Sequence, residues 1–384
     1  MSAKQLAINR QIKRFKEVRD LDKYNFDDIS EEGRFDNRQW SYWELNRDLQ
    51  LDRYFSEWSQ KPLFQHLMVV AMTGRNAKLP YAVRESLYKY AQREKIRLQD
   101  NQLNLESIEF IGDAILNVVA LEWIKTSMPK VLGNYGEAVK VFRAITSNRS
   151  LALLSRSMGI CTEKSFTHLK RCADRIEAII GVIYLFVGMD NIPLITKWYI
   201  QLPQNVELLE SLINREYLGN VPDLDLVGPD LALQRPHVPV ISITNFKSIN
   251  SVYYELVNDN ISDKTYTSFT TCKYLIGPLI YKLFACEIII DYCNKQPLKL
   301  LTLDPTMLHE YITDATSDKN ITKVIQLLGL CYSFESDIYQ FHFCKQKFIG
   351  TLGYLFLMER SLKSVYTWMM RDDIVDVLLS MIAV

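Results

Sequence analysis

Residues 106–116 read ESIEFIGDAIL, a run that sets three carboxylates, Glu106, Glu109 and Asp113, among largely apolar side chains. At 3.6 residues per turn, positions three and four apart share a helix face. The three acids therefore line one stripe, while Ile108, Phe110, Ile111, Ile115 and Leu116 cover the rest. A carboxylate withdrawn from water costs several kcal/mol unless a cation or hydrogen bonds compensate it. The stripe demands basic partners, a metal ion or a face that stays wet.

Other features of the chain narrow this choice. Its 384 residues are 48% apolar, enough for two domains with real cores. Lys plus Arg and Asp plus Glu both number 45, so the formal net charge is zero and no global attraction to nucleic acid or membrane follows. The seven cysteines contain no CxxC pair and no Cys/His set with zinc spacing. They are expected to be reduced core residues of an intracellular protein, cytoplasmic or nuclear. No stretch suggests a membrane span. The opening MSAKQLAINRQIKRFK is basic and acid-free; it reads as an amphipathic helix, with a mitochondrial presequence as the alternative. The five histidines are scattered without a nucleophile partner.

Residues 1–60 form a charged, Trp-rich N-terminal extension, expected to pack as helices on the main body, with an RNA-stacking platform as the rival reading. Runs such as LFQHLMVVAM, ITSNRSLALLSRSMGI and RIEAIIGVIYLFVGM carry helical periodicity. Four prolines between 222 and 239 mark a linker over 216–245. Helical patterns resume over 246–384, and they repeat the first half. Shifted by 165, IGDAILNVVALEWI falls on IGPLIYKLFACEII; shifted by 170, TSNRSLALLSRSMG falls on TSDKNITKVIQLLG, and Trp198 on Trp368. Two related all-helical domains, 61–215 and 246–384, are expected.

Downstream, ADRIEAIIGVIY at 173–184 supplies a second acid pair at i,i+3, Asp174 and Glu177. Two such helices side by side would converge Glu109, Asp113, Asp174 and Glu177 into an all-oxygen cluster suited to a hard divalent cation. Either pair alone is commonplace on a solvated helix face.

ESIEFIGDAIL resembles the ERLEFLGDAVL-type signature of the ribonuclease III family, and ADRIEAIIGVIY resembles its second motif, of the form ADVFEALIGAIY. TSNRSLALLSRSMGI resembles the segment between them, and LFQHLMVVAMTGRN the family's opening helix, so the likeness covers roughly residues 62–200. The resemblance implies an all-α fold that dimerises. It implies catalytic, metal-holding carboxylates at Glu109, Asp113, Asp174 and Glu177, an additional acidic position at Glu106, and a matching position at Asn148, which with nearby Arg149 and Arg143 is a candidate RNA contact. It further implies Mg²⁺-dependent cleavage of double-stranded RNA, with Mn²⁺ as a substitute metal, leaving 5′ phosphates and short 3′ overhangs. Lys164, Lys170 and Arg171 add to the local basic residues near the motifs, although a solvated face explains each of them singly.

In the second half, the same alignment puts Tyr274, Pro278, Cys344 and Lys347 opposite the four acids, and Thr271 opposite Glu106. The second copy is therefore expected to be catalytically dead and kept for shape. The tandem arrangement resembles the Dicer branch and implies an intramolecular pseudo-dimer, or else a dimer through the first domains of two chains. Neither a double-stranded RNA-binding domain nor a basic composition is apparent, so a protein partner is expected to supply part of the RNA grip. The rival is a noncatalytic RNA-binding or scaffold protein, as when ribonuclease III folds serve as ribosomal subunits.

Overall fold

The computed structural model describes residues 40–74, 78–103, 105–161, 169–213, 269–330, 338–358, 362–370 and 372–380. The 216–245 linker, Lys164 and most of the N-terminal extension lie outside the described residues. Helices and turns make up everything described, with no strand. In the first half these are α1 (Tyr42–Leu49), α2 (Pro62–Ala71), α3 (Tyr81–Arg93), α4 (Glu106–Ser127), α5 (Tyr135–Thr146), α6 (Asn148–Ser157), α7 (Leu169–Val187), α8 (Ile192–Gln201) and α9 (Pro203–Ile213). The second half contains α10 (Gly277–Tyr292), α11 (Pro305–Ala315), α12 (Asp318–Leu327), α13 (Ile338–Met358), α14 (Leu362–Met369) and α15 (Asp372–Leu379). No single helix among the described residues is long and apolar enough to cross a membrane.

Local chemistry accounts for the helix starts. Ser41 closes a capping box with Glu44 on α1, Asn134 accepts from Glu137 N at α5, and Ser147 accepts from Ser150 N at α6. The α1 segment and the turns after it bury Leu45, Leu49, Leu51 and Phe55 completely, and Trp198 Nε1 donates to Leu49 O at 2.9 Å. Packing on the body, not an exposed aromatic platform, is what this part of the extension does; only Trp43 stands out into solvent, with Arg47 over its ring.

Two largely buried helices, α4 and α7, form the centre of the first half, and they touch backbone to backbone. A Cβ added at Gly112 would lie 1.7 Å from Glu177 O, and one at Gly181 would lie 2.5 Å from Ile108 O. Only glycine permits this approach. The second half repeats the crossing: Gly277 meets Ile349 O and Gly353 meets Cys272 O.

These matched contacts set the true register of the repeat. Gly112 to Gly277 is an offset of 165, but Gly181 to Gly353 and Glu177 to Ile349 are both 172. The counterparts of Asp174 and Glu177 are thus Gln346 and Ile349, which corrects the sequence-based pairing with Cys344 and Lys347. Ile108 to Cys272 is an offset of only 164, so one extra residue lies between there and Gly277. It is absorbed by a π-helical turn, Cys272–Ile276, which precedes α10. None of the corrected counterparts is acidic.

The halves share one hydrophobic core. Polar contacts between them also recur in mirrored pairs. Tyr184 of α7 donates its hydroxyl to buried Glu287 of α10. The counterpart positions, Phe356 and Glu122, are joined through Lys125, whose Nζ donates to Phe356 O at 2.8 Å and lies 3.7 Å from Glu122. Ser107 Oγ donates to Leu303 O, and Gln102 to Thr302 O.

The cysteines depart from expectation. Cys272, Cys286 and Cys293 are free and buried, but Cys161 and Cys172 form a disulfide across Cα atoms 5.6 Å apart, and Cys344 is also disulfide-bonded. Spacing along the chain concealed this, because the pair meets only through the packing of α7 against α6.

Candidate active site: a carboxylate cluster between two crossing helices

The close crossing of α4 and α7 decides which acids meet. Glu109 and Asp113 ride on α4, Asp174 and Glu177 on α7, and the glycine contact holds the helices too near for any side chain to intervene. Carboxylate oxygens of Glu109, Asp174 and Glu177 lie within 4.8 Å of one another. Asp113, on the same stripe, is not one of the three; its Oδ2 accepts from Lys282 Nζ of α10 at 2.5 Å. Asn117 Nδ2 bonds the other oxygen of Asp113 at 3.3 Å and its carbonyl at 2.8 Å. Glu106 stands one turn earlier on α4, outside the trio.

Burial and mutual repulsion control the cluster's protonation. Desolvation, then the charge of Asp174, pushes Glu109 up to about 7. Glu177 is pushed up to about 8, again first by burial and then by Asp113, Asp174 and Glu109. Burial also raises Asp174, with Lys170 opposing. Three like charges so placed call for a cation, and one is already there. Lys170 Nζ donates to Asp174 Oδ1 at 2.9 Å and to Glu109 Oε1 at 3.2 Å. Burial disfavours that ammonium, but its bonds to Asp174 and Glu109 hold it firmly protonated.

Lys170 and Lys282 are the two residues whose part in the site sequence reasoning missed. Lys170 carried a local signal, i,i+4 from Asp174, yet read as one of several solvated basic residues. Lys282 carried none, since it lies 169 residues from Asp113. Arg143, Asn148 and Arg149 lie exposed at the end of α5 and the start of α6, outside the carboxylate trio.

An all-oxygen donor set with raised proton affinity suits a hard divalent ion such as Mg²⁺ or Mn²⁺. The ammonium of Lys170 bridges two of the three acids from the solvent side.

Comparison with known proteins gives bacterial enzymes. The chain is 35% identical over 105 residues to Ribonuclease 3 of Idiomarina loihiensis, a match covering 24% of this chain and 45% of that protein. It is 29% identical over 119 residues to Ribonuclease 3 of Pseudomonas fluorescens, covering 28% and 51% respectively. A longer match, 25% identical over 194 residues, covers 79% of Ribonuclease 3 of Vibrio vulnificus and 45% of this chain. The chain thus spans about half the length of the first two relatives. No family model matches it.

Proposed function

We propose, for a chain related to the ribonuclease III family, that it is a divalent-metal-dependent endoribonuclease acting on double-stranded RNA. The cutting site is the carboxylate set of the first half, 61–215. The second half, 246–384, serves as a noncatalytic partner in an intramolecular pseudo-dimer. The observation that carries this reading is the convergence of Glu109, Asp174 and Glu177 from two helices into one desolvated cluster.

In the mechanism, Glu109, Asp174 and Glu177 would hold a divalent ion such as Mg²⁺ or Mn²⁺, with Asp113 as the fourth acid. A bound divalent ion supplies an activated water and neutralises charge building on the phosphoryl and leaving oxygens. Burial, with Asp113, Asp174 and Glu109, pushes Glu177 up to about 8, so a divalent ion would compete with a proton at this carboxylate. Lys170 presents an ammonium beside two of the acids and keeps them oriented through its bonds. Lys282 fixes the Asp113 carboxylate from the other half. Arg143, Asn148 and Arg149 offer an exposed polar surface for phosphates, and duplex RNA is read by shape and 2′-hydroxyls.

A noncatalytic scaffold reading has one specific observation in its favour: Lys170 and Lys282 satisfy three of the four acids without metal. Cleavage of an RNA duplex, each strand end-labelled separately, decides between them. The endonuclease reading expects cutting that requires Mg²⁺ or Mn²⁺, stops in EDTA and is lost in Asp174→Asn. Absence of cutting across duplex lengths and both metals, with or without cell extract, would sink it.

A further inference from the structure

The second half has lost its acids, but the place they would occupy is not filled. A cavity of about 280 Å³ opens there, close to the lower end of the roughly 300–1,000 Å³ range of small-molecule pockets. Its lining includes Lys273, Tyr274, Pro278, Gln346 and Ile349. In the register set by the glycine contacts, Pro278, Gln346 and Ile349 are the counterparts of Asp113, Asp174 and Glu177, and Lys273 and Tyr274 share the place of Glu109 within the π-helical turn. The carboxylate site has been exchanged, position by position, for a different chemistry.

We propose that this cavity binds a single unpaired nucleotide of RNA, its base within the pocket and its phosphate at the rim. Pro278, Tyr281 and Ile349 provide apolar walls, and the Tyr281 hydroxyl is already committed to Ala315 O at 3.3 Å. Tyr274 lines the cavity and is 52% exposed, an aromatic ring on which a base can stack once the flexible Lys273 side chain over it moves aside. The Gln346 amide, in place of Asp174, makes no hydrogen bond among the described residues and can both donate to and accept from a base edge. Two ammonium groups complete the set. Lys273 lies over the Tyr274 ring at 4.4 Å and pairs with no carboxylate among the described residues, while Lys345 is paired with half-exposed Asp318. A flat heteroaromatic ring with polar edges and an attached anion answers all of these features together.

The location strengthens the case. Tyr274 packs edge-on against Tyr135 of the first half, ring centroids 6.0 Å apart, so the pocket mouth adjoins the junction of the halves. The reading of the chain as an RNA-cleaving protein contributes only the identity of the polymer; the nucleotide chemistry comes from the pocket.

Titration calorimetry of the full chain in EDTA, with AMP, CMP, GMP and UMP as probes, tests this without engaging metal-dependent cleavage. Saturable binding of at least one nucleotide is expected, weakened about tenfold or more by Tyr274→Ala, as loss of one stacking contact implies. Gln346→Ala should change which base is preferred. Photocrosslinking with 8-azido-AMP should label the 269–292 or 338–358 peptides. No binding up to about 10 mM, binding indifferent to both substitutions, or crosslinks confined to the first half would overturn the inference. So would equal binding of phenyl phosphate or inorganic phosphate, since the base would then not be recognised. Because cleavage plays no part in the readout, a null nuclease assay leaves the test intact, and a failed titration leaves the nuclease reading standing.

Discussion

Lys282 of α10 donates to the Asp113 carboxylate of α4 at 2.5 Å, so the half without the acid cluster reaches into the half that has it. Burial works against the Lys282 cation, but Asp113, and more distantly Glu177, hold it protonated. The pair ties the electrostatics of the cluster to the docking of the two halves. It also removes one of four like charges from the count that any incoming cation meets.

Replacing Lys282 by Met deletes that neutralising charge without shortening the side chain much. Divalent affinity is expected to rise severalfold, because an ammonium no longer competes for the cluster's negative potential. Stability without metal should fall by about 1 kcal/mol, the range for a partly exposed pair. Mn²⁺ binding followed by electron paramagnetic resonance, together with thermal unfolding in EDTA, reports both. Unchanged affinity would mean that Asp113 and Lys282 stand apart from the metal site.

The cluster also predicts a direction with pH. Glu109 and Glu177 are pushed from 4.5 to about 7 and about 8, so between those limits the folded chain binds more protons than the unfolded one. Stability from these groups is therefore present at low pH and declines as pH rises through the window. A divalent ion displaces the protons, and its apparent affinity should climb about tenfold per pH unit for each proton released. Melting temperatures at pH 5.5 and 8.0, with EDTA and with Mn²⁺, should show a metal-induced increase that grows with pH. A pH-independent increase would place the metal elsewhere.

Gly112→Ala tests the helix crossing that assembles the cluster. Its Cβ would fall 1.7 Å from Glu177 O, so α4 and α7 must separate. The expected loss is about 3 kcal/mol, at the upper end of overpacking penalties or beyond, and the carboxylates would part with it. Gly133, where a Cβ meets nothing within 4 Å, is the control and should tolerate alanine. Denaturant midpoints of both variants decide the matter.

Tyr184→Phe probes the junction of the halves. It removes the hydroxyl that donates to buried Glu287 and leaves that acid without it, at a cost of about 1–3 kcal/mol. Glu287 is already pushed up to about 7, chiefly by burial. Without the Tyr184 bond it should rise further, so the variant's deficit should be larger at pH 8 than at pH 5. A deficit that is flat in pH would mean that Glu287 finds another donor.

Much of this protein could be read from its residues in order. Apolar periodicity fixed the helical class, since burying one stripe of a helix is a local requirement. The i,i+3 and i,i+4 spacing put Glu109 with Asp113, and Asp174 with Glu177, on single faces before any packing was known. The repeated glycine-bearing segments put non-acidic residues opposite the four acids, with Tyr274 and Pro278 in nearly the right register and Cys344 and Lys347 two residues out. What tertiary structure alone decided depends on distances between segments far apart in the chain. The backbone contact of Gly112 with Glu177 brought three acids together and left Asp113 to Lys282. The matching contacts at Gly277 and Gly353 corrected the repeat register, because a π-helical turn can absorb a residue without disturbing the apolar pattern on either side. The Cys161–Cys172 bond depends on how α6 and α7 pack. Periodicity reports which way a side chain faces along its own helix; only the packing of helices determines what it meets.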